Sequence, residues 1–221
     1  MSDATVEARI EVVEARPEHV PFIAWVELAA ARSHLPRGAW DLYMNGAEAE
    51  TLRFLEALAS TEAWHWAHER NFIVAEVDGR PAAALSGYFE EECGGPALTA
   101  GIEEANAVLG RSAEENTAGW QRAGSFAKVE IAHEPGAWIV EWVATASEFR
   151  RRGLVGRLMS EMLEIGRRKG ASVAQIGVLI GNDAAQSAYE KAGFVVVDER
   201  RHSEFEAAYG SPGARLLRRP I

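Results

Sequence analysis

Residues 137–194 alternate twice between an apolar strand pattern and an amphipathic helix pattern, and this alternation most constrains the fold. The segment "AWIVEWVAT" (137–145) is nearly all apolar and β-prone, as in a strand buried on both faces, and a helical pattern starts at Leu154. A second apolar run (173–180) leads into a helix capped by Asn182. The order strand, helix, strand, helix predicts a βαβα unit with parallel strands.

The segments before this unit predict further strands and helices. Residues 10–15 indicate a short strand followed by an amphipathic helix, and residues 47–60 indicate a second amphipathic helix. Two apolar runs within residues 71–89 are joined by Asp78 and Gly79, which is a strong β-hairpin signal. The N-terminal part is therefore predicted to have the order β-α-α-β-β.

Residues 90–136 have a different character and predict an insertion between two strands of the sheet. The segment opens with the acidic, glycine-rich "EEECGGP" and contains two weakly periodic helical pieces near 98–109 and 112–123. Connections of this length often carry binding residues. Beyond the βαβα unit, residues 201–221 predict a short helix, a turn and a last strand.

The composition of the 221 residues is that of a globular chain that folds on its own, with 48% hydrophobic and 25% charged residues. The 33 acidic residues outnumber the 23 lysines and arginines, and the formal net charge of -10 argues against general binding to nucleic acid or to anionic membranes. The acidic N-terminus lacks the pattern of a signal peptide, and no stretch reaches about 18 apolar residues. We therefore expect a cytoplasmic protein.

The candidates for metal or thiol chemistry are weak. The single cysteine, Cys93, has no C-x-x-C partner and no signature of a cysteine enzyme around it. His65 and His68 stand three residues apart, as a helical metal pair does, but no third ligand lies nearby, so packing or surface histidines are favoured. We expect no metal site.

Three consecutive arginines, Arg150 to Arg152, stand directly before Gly153 at the start of the helix that follows the first buried strand. A solvated charge run is the simplest interpretation. However, the free N–H groups and the positive dipole end of that helix lie at the same place, and glycine lets the backbone approach an anion closely. The turn thus predicts a phosphate site. Neither a P-loop nor a G-x-G-x-x-G motif after a strand is present, which disfavours nucleotide hydrolysis and hydride transfer.

The turn has the form R-x-x-G-x-[G/A], with Arg150, Gly153 and position 155, and the chain continues from Asn182 with N-x-x-A-x-x-x-Y-x-x-x-G-F. This pair of motifs on a βαβα background, spanning residues 138–194, resembles the GNAT superfamily of N-acetyltransferases, which use acetyl-CoA. One position departs from the family pattern, since Val155 stands where Gly or Ala is usual. A valine still presents a backbone N–H to a pyrophosphate.

The resemblance implies an α/β (α+β) fold. It has a GNAT-like mixed central sheet of about 6–7 strands flanked by helices, and two parallel strands, 138–145 and 173–180, splay apart to form the CoA cleft. One GNAT-like domain would span residues 1–221. Its parts would be the N-terminal β-α-α-β-β part (10–89), the helical insertion (90–136), the CoA-binding core (137–200) and the C-terminal helix and strand (201–221).

The resemblance also assigns residues to the co-substrate acetyl-CoA. The backbones of Val143 and Thr145 would bind the pantetheine arm as an added strand would, and the N–H groups of residues 151–156 would hold the pyrophosphate. Asn182 and Tyr189 would face the thioester. The complete implied set is Val143, Thr145, Arg150, Arg151, Arg152, Gly153, Leu154, Val155, Gly156, Asn182, Ala185 and Tyr189.

Attack of an amine on a thioester needs a neutral amine and a proton for the departing thiolate. Tyr189 matches the general acid of the family, although alone it would pass for a core aromatic residue. Glu141 is the only charged residue of its strand, and burial would raise its pKa toward that of a general base; the alternative is an ion pair with arginine or exposure to solvent. Glu130, His133 and Glu134 are the other candidates for the base.

The expected function is acetyl-CoA-dependent N-acetyltransfer to a primary amine of a small molecule, peptide or protein, by direct attack on the thioester. The alternative is a non-catalytic acyl-CoA-binding or regulatory module of the same fold. Members of the family are often dimers, so a homodimer is compatible with the resemblance.

The acceptor side is only indicated by the sequence. Trp40, Tyr43, Phe89 and Trp142 fall where the family binds its acceptor, and they would either line a pocket for a partly apolar amine or belong to the core. The acidic residues 90–92 would either attract a cationic amine or form a solvated loop.

Overall fold

The computed structural model describes residues 8–221, and the first seven residues, which belong to the N-terminal segment discussed above, lie outside the described part. The described strands are β1 (Ile10–Glu14), β2 (Phe72–Val77), β3 (Arg80–Phe89), β4 (Trp138–Thr145), β5 (Val173–Leu179), β6 (Val195–Arg201) and β7 (Gly213–Pro220). The described α-helices are α1 (Val20–Arg32), α2 (Ala39–Met44), α3 (Glu48–Ala59), α4 (Glu90–Cys93), α5 (Gly95–Val108), α6 (Ala113–Ala123), α7 (Leu154–Arg168), α8 (Asp183–Lys191) and α9 (Ser203–Tyr209).

The strands form one mixed seven-stranded sheet in the order β1-β2-β3-β4-β5-β7-β6. Of the strand pairs in the described chain, only β4 and β5 run parallel, and α7 is their crossover helix. The predicted α/β (α+β) fold with a GNAT-like mixed sheet flanked by helices is thus confirmed. Within residues 8–221, no helix is both long and apolar enough to cross a membrane.

Helices cover the two faces of the sheet. Side chains alternate along β3, so Leu85 points toward α7 and α8, whereas Ala84 packs under Ile23 and Val26 of α1. We call these two sides the α7 face and the α1 face. On the α1 face a second layer of helices, α2, α3 and α5, packs over α1 through a core of its own that includes Phe54 and Ile102.

The hairpin and the insertion agree with their predictions, whereas α2 was missed. Asp78 and Gly79 both have positive φ, 51° and 75°, as a two-residue hairpin turn requires. The insertion carries α5 and α6 on the α1 face, and Arg122 of α6 holds the end of α2 by donating to the carbonyl of Tyr43 at 2.6 Å. Helix α2 starts after Gly38, whose N–H donates to Asp41 at 2.8 Å in a local cap, and with six residues the helix is too short to show a periodic pattern.

Candidate active site

The sheet opens between its two parallel strands. β4 and β5 pair only over Trp138–Val140 and Ala174–Ile176. Beyond that point β4 follows β3, and β5 follows β7, so a gap forms at the end of the parallel pair. A cleft of about 1730 Å³ extends from the α7 face into the α1 face at this gap. The predicted splay of the two strands is therefore present.

A β-bulge in β4 decides which side chains face the gap. Ser86 pairs with Glu141 and Ala84 pairs with Ala144, so Trp142 and its successor both stand opposite Leu85. Trp142 has φ of 52°, which is rare for a bulky residue. Glu141 and Trp142 consequently both lie on the α1 face, although consecutive residues of a regular strand would point to opposite faces.

Glu141 lies on the wall of the cleft, half-buried, with one hydrogen-bond partner. The hydroxyl of Tyr88 donates to its Oε2 at 2.7 Å. Burial raises the pKa of Glu141 to about 7, the hydrogen bond from Tyr88 opposes that rise, and the charges of Glu90 and Glu130 add to it. The alternative of an ion pair does not hold in the described chain, because the carboxylate has no arginine partner, and its exposure is intermediate.

Tyr189 of α8 reaches the same cleft from the α7 face. Its side chain is 6% exposed, and burial raises the pKa of its phenol above the usual range, with the charge of Glu141 as the second cause. The carboxylate of Glu141 and the phenol of Tyr189 therefore interact electrostatically across the gap. A phenol with a raised pKa stays protonated at neutral pH and can donate a hydrogen bond or a proton.

The turn before α7 presents a row of free backbone donors. Arg151 and Gly153 have positive φ, 62° and 74°, and α7 begins directly afterwards. Within the described residues, none of the N–H groups from Arg151 to Gly156 donates to a protein acceptor, and the first capped amide is that of Arg157, which donates to Gly153. Such a row of amides at a helix start is an anion-binding arrangement.

The three arginines of the turn do not act alike. Arg150 and Arg151 line the cleft, but Arg152 does not. The guanidinium of Arg152 lies over the ring of Phe149 at 5.3 Å and donates to the carbonyl of Glu148. The side chain of Arg152 is thus held by its own turn, whereas its backbone N–H remains among the predicted donors of the phosphate site.

The other predicted ligands of acetyl-CoA line the cleft: Val143, Thr145, Leu154, Val155, Gly156, Asn182, Ala185 and Tyr189. The side chain of Asn182 is already engaged at both ends. Its Oδ1 caps α8 by accepting from Ala185 at 3.1 Å, and its Nδ2 donates to Ser33 at 2.7 Å. Asn182 therefore connects α8 to the end of α1. It lies on the wall of the cleft, but both polar atoms of its side chain are already hydrogen-bonded within the protein.

The three alternative bases separate by position. Glu130 and His133 line the cleft, whereas Glu134 lies outside it and forms an ion pair with Arg218 at 2.7 Å. His133 is paired with Glu90 at 3.0 Å. Glu141 is the candidate whose environment favours a base near neutral pH, since burial raises the pKa of its carboxyl to about 7.

Aromatic residues line the α1 face of the cleft more extensively than the sequence suggested. Trp40, Tyr43 and Trp142 line it and also belong to or pack against the core of the helical layer, whereas Phe89 packs against Trp138 on the α7 face. The additional aromatic residues are Trp25, Trp66, Tyr88, Trp120 and Phe126. They come from separate segments, so the only signal in the sequence was the number of tryptophans.

A buried acid behind the cleft was also missed. Glu27 of α1 is 0% exposed, and neither carboxylate oxygen has a hydrogen-bond partner in the described chain. Burial raises the pKa of Glu27 well above its usual value, and the charge of Glu141 adds to this. Such surroundings favour the protonated form of the carboxyl.

The residues considered for metal and thiol chemistry are enclosed. His65 is buried against the carbonyl of Leu58 and the hydroxyl of Thr61, and burial lowers its pKa to about 4. Cys93 is buried, and burial raises its pKa to about 12. Across residues 8–221 no group of three or more His, Cys, Asp or Glu side chains is arranged to hold a metal ion.

Known proteins share this architecture. The chain matches an acetyltransferase from a crystal structure with 16% identity and a TM-score of 0.69, over 96% of this chain and 99% of the other. It matches an N-acetyltransferase from Staphylococcus aureus Mu50 with 20% identity and a TM-score of 0.66, over 95% and 100%. It also matches an agmatine N-acetyltransferase variant with 16% identity and a TM-score of 0.55, over 96% and 99%. At these identities the likeness shows the fold alone.

The match of the sequence to a family profile identifies the family. No curated protein matches the chain closely. The profile described as "Acetyltransferase (GNAT) family" matches residues 40–194, which include β4, the arginine–glycine turn, α7, β5 and α8. Since the match covers most of the chain and the sheet opens where that family would need a cleft, the chain belongs to the GNAT family of acetyltransferases.

Proposed function

We propose that the protein is an acetyl-CoA-dependent N-acetyltransferase that acts on a primary amine of a small molecule or peptide. The observation that carries the proposal is the pair Glu141 and Tyr189 on opposite sides of the gap between β4 and β5. One is a carboxyl with a pKa of about 7 and the other a protonated phenol. A base and an acid with separated pKa values suit a reaction that removes one proton and supplies another.

The free backbone N–H groups suit acetyl-CoA, the substrate that donates the acetyl group. The unpaired amides of residues 151–156, with Arg150 and Arg151 beside them, match the charge of a diphosphate. The edge of β4 that loses β5 after Val140 would accept the amide groups of the pantetheine arm as an added strand does. Acetyl-CoA bound in this way would supply the activated acetyl carbon and a thiolate leaving group.

The chain's own groups would move the protons. Glu141 accepts one from the ammonium of the acceptor, and the neutral amine then attacks the thioester carbonyl. As the carbon–sulfur bond breaks, the phenol of Tyr189 donates its proton to the departing thiolate. The nitrogen of the adduct loses its second proton to solvent water, so the products are an N-acetyl amide, free coenzyme A and one released proton, and the proton on Glu141 returns to Tyr189 through solvent.

Thiol release from acetyl-CoA, followed across a panel of amines, tests the proposal, with calorimetry of coenzyme A binding as the independent readout. Tyr189→Phe should reduce kcat by about 100-fold or more while the Kd for coenzyme A stays within about twofold. Equal loss of both would show that Tyr189 only supports binding. Tight binding of coenzyme A by the wild-type protein with no turnover on any amine would favour the acyl-CoA-binding module instead.

A further inference from the structure

The α1 face of the cleft forms a chamber distinct in chemistry from the side that carries the arginines. Its walls come from α1, α2, β3 and β4, and from the insertion that contains α5 and α6. Eight aromatic residues face it, namely Trp25, Trp40, Tyr43, Trp66, Tyr88, Trp120, Phe126 and Trp142. We call this space the acceptor chamber.

Stacked indole rings form the wall of the chamber nearest to Glu141. The ring of Trp142 lies 5.6 Å from that of Trp66 and 6.4 Å from that of Trp40, and both pairs are nearly parallel. The bulge at Trp142 is what brings this stack beside the carboxylate, because it turns consecutive side chains to one face. Flat apolar walls of this kind bind aromatic rings and alkyl chains, and their faces attract ammonium groups.

The charged side chains of the chamber are acidic. Glu90, Glu130 and Glu141 face it, together with His133, which is already paired with Glu90. Among the described residues that line the α1 face of the cleft, there is no lysine and no arginine. The lysine and arginines that line the cleft belong to the turn before α7, to α7 and α8, and to β7, namely Arg150, Arg151, Arg167, Lys191, Arg215 and Arg219. Those of β7 bond to α8, as Arg215 does with Gln186 at 2.7 Å.

This distribution discriminates between two kinds of amine. An ammonium group is attracted by the three carboxylates, and a ring or chain attached to it is accommodated by the indole wall. A carboxylate attached next to the amine, as in an α-amino acid, would enter the same chamber against three carboxylates, with no lysine or arginine among the described residues that line this side. Leaving such a charge unpaired in a partly desolvated site is strongly unfavourable.

We propose that the acceptor is a small arylalkylamine, a primary amine with an aromatic ring and no carboxylate, rather than an α-amino acid. This inference rests on the proposed N-acetyltransfer. The amine lies next to Glu141, the ring lies against Trp66 and Trp142, and Glu90 and Glu130 steer the cation inward.

Matched substrates test the charge argument directly. Phenethylamine, phenylalanine amide and phenylalanine share one ring and one amine but carry hydrogen, a neutral amide and a carboxylate at the α-carbon. We expect kcat/KM for phenethylamine to exceed that for phenylalanine by at least about 100-fold, with the amide close to phenethylamine. The amide separates charge from size, since it is as large as the carboxylate. Equal use of phenylalanine and phenethylamine would overturn the inference.

Binding provides a second readout that does not need turnover. Calorimetry in the presence of coenzyme A should detect phenethylamine and not phenylalanine. If neither compound binds, the arylalkylamine assignment is wrong. If phenethylamine binds but thiol is never released with any amine, the proposed acetyltransfer fails while the assignment of the chamber stands.

Variants with matched controls test the walls. Trp66→Leu should raise KM for phenethylamine about tenfold or more and change KM for propylamine much less. The control Trp64→Leu alters a neighbouring, 38% exposed tryptophan that does not line the cleft, and it should leave both values unchanged. Glu130→Gln should raise KM for phenethylamine at low salt, whereas Glu103→Gln, an equal charge change outside the cleft, should not. A Trp66→Leu variant with both KM values unchanged would contradict the proposed location of the ring.

Discussion

Replacing Glu141 by Gln should change the shape of the pH profile as well as the rate. In the wild-type protein the ammonium is the form of the acceptor present near neutral pH, and Glu141, with a pKa of about 7, must be ionised to take its proton. We expect kcat/KM to rise tenfold per pH unit below about pH 7 and to level off above it. The variant cannot accept the proton, so its rate should keep rising until the amine itself loses its proton.

The size of the effect follows from two pKa values. An alkyl ammonium has a pKa of about 10.4, so about 0.1% or less is neutral at pH 7. If Glu141→Gln relies on that fraction, it should be about 1000-fold slower than wild type at pH 7, within the range of general-base catalysis, and only about 25-fold slower near pH 9. Stopped or continuous thiol assays with phenethylamine from pH 5.5 to about 9.5 measure both profiles.

Tyr88→Phe provides the companion measurement. The hydroxyl of Tyr88 donates to Glu141 at 2.7 Å and so stabilises the ionised carboxylate. A hydrogen bond to a charged group contributes about 1.5–3 kcal/mol, which corresponds to a pKa change of about 1–2 units. Because the bond lowers the pKa of Glu141, its loss should move the midpoint of the profile upward, with the plateau almost unchanged. A Glu141→Gln loss that is constant with pH, or a midpoint in Tyr88→Phe that stays or moves down, would refute the assignment of the base.

Three further predictions concern the neighbourhood of the site. Glu27→Gln should stabilise the protein, because the folded state keeps a proton that the unfolded carboxyl releases above about pH 4.5. Above that pH, the free energy of unfolding of the wild-type protein should fall by about 1.4 kcal/mol per pH unit relative to that of the variant. Urea unfolding at about pH 5, 6 and 7 measures this difference. Equal slopes would contradict a protonated Glu27. Gly153→Ala should cost about 1–2 kcal/mol of stability because φ is 74°, and it should weaken coenzyme A binding in calorimetry, although a methyl group meets no atom there. Arg150→Ala should weaken coenzyme A binding more than Arg152→Ala, whose guanidinium lies over Phe149; the reverse order would contradict the orientation of the turn.

The sequence predicted the features that depend on local signals. The strand 138–145, the helix starting at Leu154, the cap at Asn182 and the Asp78–Gly79 turn all follow from neighbouring residues, and the structure has them. The splay of the parallel strands was implied by the family resemblance, since no local pattern records where two strands separate.

Most of the features missed depend on residues far apart in the chain, on a single irregular position or on the orientation of one ring. The hydrogen bond between Tyr88 and Glu141 joins residues 53 positions apart. The run "WIVEWVAT" lacks the alternation that a bulge would interrupt, so the change of face at Trp142 leaves no trace in the pattern. The side chain of Arg152 likewise depends on a ring, Phe149, that strand and helix periodicity does not orient.

The bulge in β4 and the gap between β4 and β5 together determine the shape of the site. A regular β4 would place Trp142 on the α7 face, where the crossover helix α7 packs, and the stack with Trp40 and Trp66 could not form. Bulges also increase local twist and bend the strand that carries them, and this one begins at Trp142, two residues after Val140, the last residue that pairs with β5. The position that turns β4 away from β5 thus also sets the base and the aromatic wall side by side. For this reason a substitution that only removed the positive φ of Trp142, without altering any polar group, should disturb donor binding and acceptor binding together.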